Sequence, residues 1–137
     1  MFRDMGQLVD NTAIEMLRRV SQTEIEAALR DGTYLGWLAV DECGGVIGGA
    51  GMHIKPQFPR PTPDGKGVAT GAVPLIVNVY TEPEWRQRGV ARMMMATVLD
   101  WARAHGVDRV VLHASRDGRR LYESLGFSGT NEMRWTP

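Results

Sequence analysis

Apolar positions along the chain recur at two spacings, and the alternation between them predicts a mixture of helices and strands. Residues 7–20 carry Leu8, Ile14, Leu17 and Val20 in a loose pattern, helical or irregular. "SQTEIEAALRDG" is sharper. Ser21 followed by Glu24 has the form of a capping box, Ile25, Ala28 and Leu29 make a stripe, and Gly32 stops the helix. "YLGWLAV" and "GVIGGAGMHI" then predict two strands joined as a hairpin by the turn "DECGG". Gly48, Gly49 and Gly51 thin the second strand, which marks a bulge or a close backbone approach.

Residues 55–74 hold five of the seven prolines and little periodicity, so a mobile loop is expected there. "LIVNVYT" is apolar or β-branched at almost every position, as a strand buried on both faces should be. The helix after it places Val90, Met94, Val98 and Trp101 on one stripe and ends at His105-Gly106. "DRVVLHAS" predicts a further strand, "DGRRLYESLG" a short helix, and Phe127 to Trp135 one or two short strands. A strand–helix–strand unit with a short crossover favours parallel pairing. The fold class is therefore α/β, with a mixed sheet that is antiparallel at first and parallel around the long helix. Neither flank of the proline-rich stretch could bury a core alone, so residues 1–137 are expected to form one domain.

Composition narrows the function. Sixteen basic and sixteen acidic residues cancel, which argues against a general nucleic-acid binder. A lone cysteine, Cys43, excludes an internal disulfide framework and fits a reducing compartment. No apolar run reaches membrane-spanning length and no signal-peptide core is present, so a cytoplasmic location without a membrane partner is expected. His53, His105 and His113 lack metal-ligand spacing, and no metal is expected. The G-x-G-x-x-G fingerprint and the P-loop spacing are both absent.

Against that neutral background, "TEPEWRQRGVAR" gathers Arg86, Arg88, Gly89 and Arg92 at the mouth of a helix. A helix start leaves its first N–H groups without intrahelical partners and carries the positive end of the dipole. It is a natural seat for a phosphate, with arginine forks at the rim. A solvated helix start satisfies the same residues, and composition does not choose between the two.

The order of motifs bears on that choice. Arg86-Gln87-Arg88-Gly89-Val90-Ala91 resembles the R/Q-x-x-G-x-G/A signature of the GCN5-related N-acetyltransferases, and it follows a buried strand and opens a helix as that family requires. "LYESLGF" is similar to the family's final-helix motif. The resemblance is specific over residues 75–127 and compatible over 20–55. It implies an acetyltransferase fold that uses acetyl-CoA, with the usual first strand absent or much shortened and "MFRDMG" similar to the end of the first helix. It implies that backbone N–H groups from Gln87 to Ala91 hold the pyrophosphate, with Arg88 and Arg92 at the rim and Gly89 giving close approach. Val79 and Thr81 would meet the acetyl carbonyl and pantetheine through their backbones. Ala91 and Ser115 stand where many members carry a glycine and an asparagine. Tyr122 corresponds to the tyrosine that protonates the departing thiolate in many members; without the resemblance it reads as a half-buried helix tyrosine packing through its ring.

The expected reaction is acetyl transfer from acetyl-CoA to a primary amine of a small molecule or peptide, by direct attack in a ternary complex. An alkyl ammonium must lose a proton before it attacks. The early part of the strand, "PLIVN", offers no carboxylate for that. Glu82 is the first candidate base and His53 the second, with a water relay standing equal to them. The alternative is a coenzyme-binding sensor or a catalytically degenerate module. A shortened start would leave a sheet edge or groove bare, so the chain is expected either to self-associate, as a homodimer, or to be marginally stable.

Overall fold

The elements follow from where the chain can hide apolar surface. In the computed structural model, which describes residues 10–136, the order is α1 (Asn11–Asp31), β1 (Tyr34–Val40), β2 (Val46–Pro61), β3 (Val68–Thr81), α2 (Val90–Ala104), β4 (Val111–Leu112) and α3 (Arg119–Ser124). A 3-10 turn at Pro83–Trp85 joins β3 to α2. Leu8 and "MFRDMG" lie outside the described residues. Among the described residues, no helix is long and apolar enough to cross a membrane.

The first helix begins earlier than its capping signals imply. Asp10 is the N-cap, its carboxylate accepting from the Ala13 N–H at 2.7 Å, and Ser21 with Glu24 sits inside a continuous helix. A capping box is a local preference, and a helix already nucleated upstream runs through it. Gly32 ends the helix as expected, in the left-handed conformation (φ 76°). Ile14, Ser21, Ile25 and Ala28 form its half-buried face.

The four strands form one sheet in the order β1-β2-β3-β4, antiparallel between the first three and parallel at β3–β4. The "DECGG" turn closes β1 onto β2, with the Asp41 carboxylate accepting from the N–H groups of Cys43 and Gly45. The expected mobile loop at 55–74 is wrong. β2 and β3 continue through it as a paired arm, Lys55 opposite Val73 and Pro61 opposite Val68, turning at 62–67. β1 starts at Tyr34, opposite His53, so beyond Ile54 β2 has no neighbour on that side. Prolines there need not donate to a second ladder, and Pro59 falls within a register shift. Arg60 anchors the arm by donating to Asp108 at 2.6 Å. β4 is shorter than "DRVVLHAS" implied, and no strand forms over residues 127–136.

One face of the sheet carries the core. Ala39, Ala50, Met52 and Ile76 meet Val90, Met94, Met95 and Val98 of α2, and Trp37 sets its ring edge-on to Trp101 at 6.2 Å. The close approach anticipated from the glycines is real at Gly48. A Cβ there would stand 2.8 Å from the Tyr80 carbonyl oxygen, 3.1 Å from Met94 Cε and 3.4 Å from Val90 Cγ1. Bare backbone at Gly48 is thus what lets the first turn of α2 settle against the sheet.

Gly48→Ala should therefore destabilise the fold by about 1–3 kcal/mol through overpacking. Urea denaturation measures this, and an unchanged midpoint would mean that α2 does not rest on that glycine.

Candidate active site

The site grows out of a fault in the ladder. Gly49 pairs with Tyr80 and Gly51 with Val77, so the single residue Ala50 faces both Asn78 and Val79. This is a β-bulge, and Asn78 takes the left-handed conformation (φ 56°) to make it. Beyond the bulge, Glu82 donates its N–H to Ile47 at 2.9 Å. In an antiparallel ladder, alternate residues face opposite edges, so Thr81 and Val79 turn their backbone groups away from β2. On that other side β4 pairs only with Leu75 and Ile76. From Val77 onward the edge of β3 is open, a wedge between two parallel strands that have parted.

The chain then makes the cradle. Gln87 (φ 61°) and Gly89 (φ 83°) are both left-handed and flank Arg88, an alternation that turns successive N–H groups toward one side. Gly89 is the N-cap of α2 and has no side chain to cap it. The first α-helical bond runs from the Met93 N–H to the Gly89 carbonyl. The N–H groups of Val90, Ala91 and Arg92 therefore have no partner within the helix. A Cβ on Gly89 would meet nothing within 4 Å, so it is the left-handed backbone, not crowding, that favours glycine here.

The arginines divide their work. Arg86 donates from Nε to the Thr81 carbonyl at 3.0 Å and lies 5.5 Å from the Tyr80 ring centre, bracing the turn from beneath. Arg92 donates to the Ser124 hydroxyl at 2.8 Å, tying α2 to α3. Arg88 lies over the Trp85 ring at 5.3 Å and is exposed. Of the three, Arg88 has the freest guanidinium for an anion at the rim. The Thr81 hydroxyl is buried with no hydrogen-bond partner at this same junction.

α3 brings Tyr122 to the core edge, where its ring packs edge-on to Phe127 at 6.1 Å. Ser115 accepts from the Gly118 N–H at 3.1 Å, so its hydroxyl shapes the turn into α3. Burial holds the Tyr122 phenol above its usual value, which keeps it protonated and able to donate at neutral pH. Its hydroxyl makes no hydrogen bond among the described residues.

The two candidate bases are far apart. Glu82 follows β3 directly, whereas His53 is level with Leu75, seven residues back along that strand. At strand rise this is roughly 20 Å, so the two cannot serve one atom. Sequence reasoning did not single out Asn78 or Tyr34. Asn78 donates to the Tyr34 hydroxyl at 3.3 Å, and a Cβ on Gly51 would fall on that hydroxyl. The lone asparagine inside "LIVNVYT" was the available signal, since asparagine tolerates positive φ better than its neighbours. Among the described residues, no group of three or more His, Cys, Asp or Glu could hold a metal.

A mixed sheet with a bulged, splayed central strand feeding an anion cradle defines a class of acyl-coenzyme A binding domains. The Acetyltransferase (GNAT) family matches residues 3–127, and the chain belongs to that family. A GCN5-related N-acetyltransferase from Ralstonia eutropha JMP134 is 28% identical with a TM-score of 0.84, covering 100% of this chain and 85% of that one. A predicted acetyltransferase from Clostridium acetobutylicum, solved with acetyl-CoA, is 26% identical with a TM-score of 0.76, covering 99% of this chain and 82% of that one. The glucosamine 6-phosphate N-acetyltransferase of Trypanosoma brucei brucei is 30% identical over 84 residues, 61% of this chain. This chain spans about half that relative's length, 52%.

The raised Tyr122 value makes a signed prediction. A phenol that is harder to ionise when folded contributes stability below its unfolded value of about 10, and loses it as pH rises through the higher folded value. Between neutrality and pH 11 the parent should lose more stability than Tyr122→Phe, which has no phenol to ionise. Parallel curves in denaturant titrations would show that Tyr122 titrates as if exposed.

Proposed function

We propose that this protein transfers an acetyl group from acetyl-CoA to a primary amine by direct attack while both substrates are bound. One observation carries the reading: the released edge at Val79–Thr81 runs within a few residues into the N–H cradle at Gln87–Arg92. A thioester and a pyrophosphate on one ligand need such an arrangement. The orphan N–H groups of α2, the dipole behind them and exposed Arg88 fit the pyrophosphate. The open edge of β3 fits an extended amide chain, which adds to it as a strand would.

The chemistry then falls to a few groups. The Val79 N–H donates to the acetyl carbonyl oxygen and stabilises the negative charge that develops there as the amine nitrogen attacks the carbon. The C–S bond breaks, and the Tyr122 hydroxyl gives its proton to the departing sulfur, recovering one from solvent afterwards. Glu82, or a water it orders, takes the proton that the ammonium must lose before attack, and the second proton, shed by the nitrogen as the amide forms, passes to solvent. Small-molecule amines are the acceptor class supported by one named relative, the glucosamine 6-phosphate N-acetyltransferase.

Two substitutions test separate parts of this reading. Gly89→Asp meets no clash and costs about 1–2 kcal/mol for its left-handed backbone. Its carboxylate would claim the orphan N–H groups and repel phosphate, so calorimetry should show coenzyme A affinity falling at least roughly tenfold; unchanged affinity would remove the cradle. Tyr122→Phe should slow single-turnover transfer by about a hundredfold at saturating coenzyme, with coenzyme affinity nearly unchanged. A parent-like rate would reduce Tyr122 to packing.

A further inference from the structure

The bulge on β3 is one of two ladders open to the strand. As far as the pair Gly51–Val77 the partners keep one register, and from Gly49–Tyr80 onward they keep the next. Continued without a fault, the first register would set Ala50 against Asn78 and Gly49 against Val79. Glu82 donates its N–H to Ile47, so in the observed ladder Tyr80 also addresses β2, and Val79 faces the wedge. In the regular ladder Val79 and Tyr80 would exchange these directions, and the Val79 N–H would be spent on Gly49.

Asn78 weighs against the regular ladder and for the bulge. Opposite residues of a ladder share a face, and Ala50 belongs to the core under α2. An Asn78 set against Ala50 would therefore turn its amide into apolar packing, where an unpaired polar group is costly. In the bulge Asn78 takes positive φ (56°), and its side-chain N–H donates instead to the Tyr34 hydroxyl at 3.3 Å. Asparagine tolerates that backbone better than the valines on either side of it. Tyr34 reaches over from β1 because β2 is bare at Gly51: a Cβ there would fall on the Tyr34 hydroxyl. One residue on each of three strands thus holds the backbone just before Val79.

Resting on the acetyl-transfer reading above, we propose that Tyr34 and Asn78 are positioning residues for the acetyl carbonyl. They act through the Val79 N–H. The bond between them fixes the bulge, and the bulge aims that donor into the wedge. A donor turned off line loses much of its value to the charge that forms on the oxygen.

The test uses the full chain. Hydrogen exchange at the Tyr80 amide reads the bulge, because that N–H keeps its partner on β2 only in the bulged register. Tyr34→Phe should speed this exchange by about fivefold, the equivalent of one neutral hydrogen bond, and leave the Leu35 amide unchanged. Gly51→Ala, which evicts the Tyr34 hydroxyl, should speed Tyr80 exchange likewise. In an Asn78→Gly background Tyr34→Phe should change nothing, since the bond it removes is already gone. Parent-like exchange at Tyr80 in Tyr34→Phe, or an equal loss in the Asn78→Gly background, would overturn the proposal. The infrared carbonyl band of bound acetyl-CoA, isotope-labelled at the acetyl carbonyl, reads the donor itself. It should lie below the free value in the parent and move back toward it in Tyr34→Phe, with coenzyme A affinity unchanged. A band shifted equally in both proteins would leave the carbonyl contact standing and remove Tyr34 from its positioning. An unshifted band in the parent, with Tyr80 responding as expected, would sink the carbonyl contact of the acetyl-transfer reading and the positioning role with it, while the hold on the bulge stands.

Discussion

The bulge at Asn78–Val79 is the constraint from which the rest of the site follows. One extra residue on β3, set against Ala50, bends the strand and changes which edge its backbone addresses. The same strand loses β4 after Ile76, so the backbone groups it turns that way face an open wedge instead of another ladder, with the Thr81 carbonyl taken by Arg86. An unpaired strand edge is normally a liability. Here it is short, lies in the interior of the sheet order, and ends at a helix mouth whose first N–H groups have no partner within the helix. The arrangement leaves backbone open without exposing a long flat strand to other chains.

Several residues outside the wedge hold that geometry. Gly48 allows α2 to press its first turn onto β2, which places the cradle directly beyond β3. Arg86, which a motif-level view assigns to the ligand, braces the Thr81 carbonyl, and Arg92 fastens α2 to α3 through Ser124. A basic cluster at a helix start thus divides into two arginines with hydrogen-bond partners in the fold and an Arg88 stacked over Trp85. The groups left over at the mouth of α2 are backbone N–H donors, and positive φ at Gln87 and Gly89 sets their direction.

On the opposite face, Tyr34 and Asn78 link the bulge to β1. The ring of Tyr34 occupies the space that a side chain at residue 51 would need, so the glycine on β2, the tyrosine on β1 and the asparagine on β3 are mutually dependent. Three strands thereby agree on one backbone distortion. An asparagine at positive φ costs little, and its side chain gains a partner that stabilises the bulge.

Much of this was legible in the chain itself. The paired strands around "DECGG", the stripe of α2 and the stop at Gly32 follow from local preferences, because apolar period and glycine placement act over a few residues. The signature from Arg86 to Ala91 placed the turn into α2 for the same reason: a glycine at a helix start reports left-handed backbone directly. Tertiary structure decided what depends on neighbours far away in sequence. The stretch 55–74 is rich in proline and looks like a loop, yet it pairs as an arm because β1 ends before it and removes the demand for donors on that side. The Ser21–Glu24 signal lost to a helix begun at Asp10, since a growing helix needs no second nucleus. Which arginine stays free, where the bulge falls and how Tyr34 reaches Asn78 were all invisible, because each is a contact between strands or helices that only the folded packing brings together.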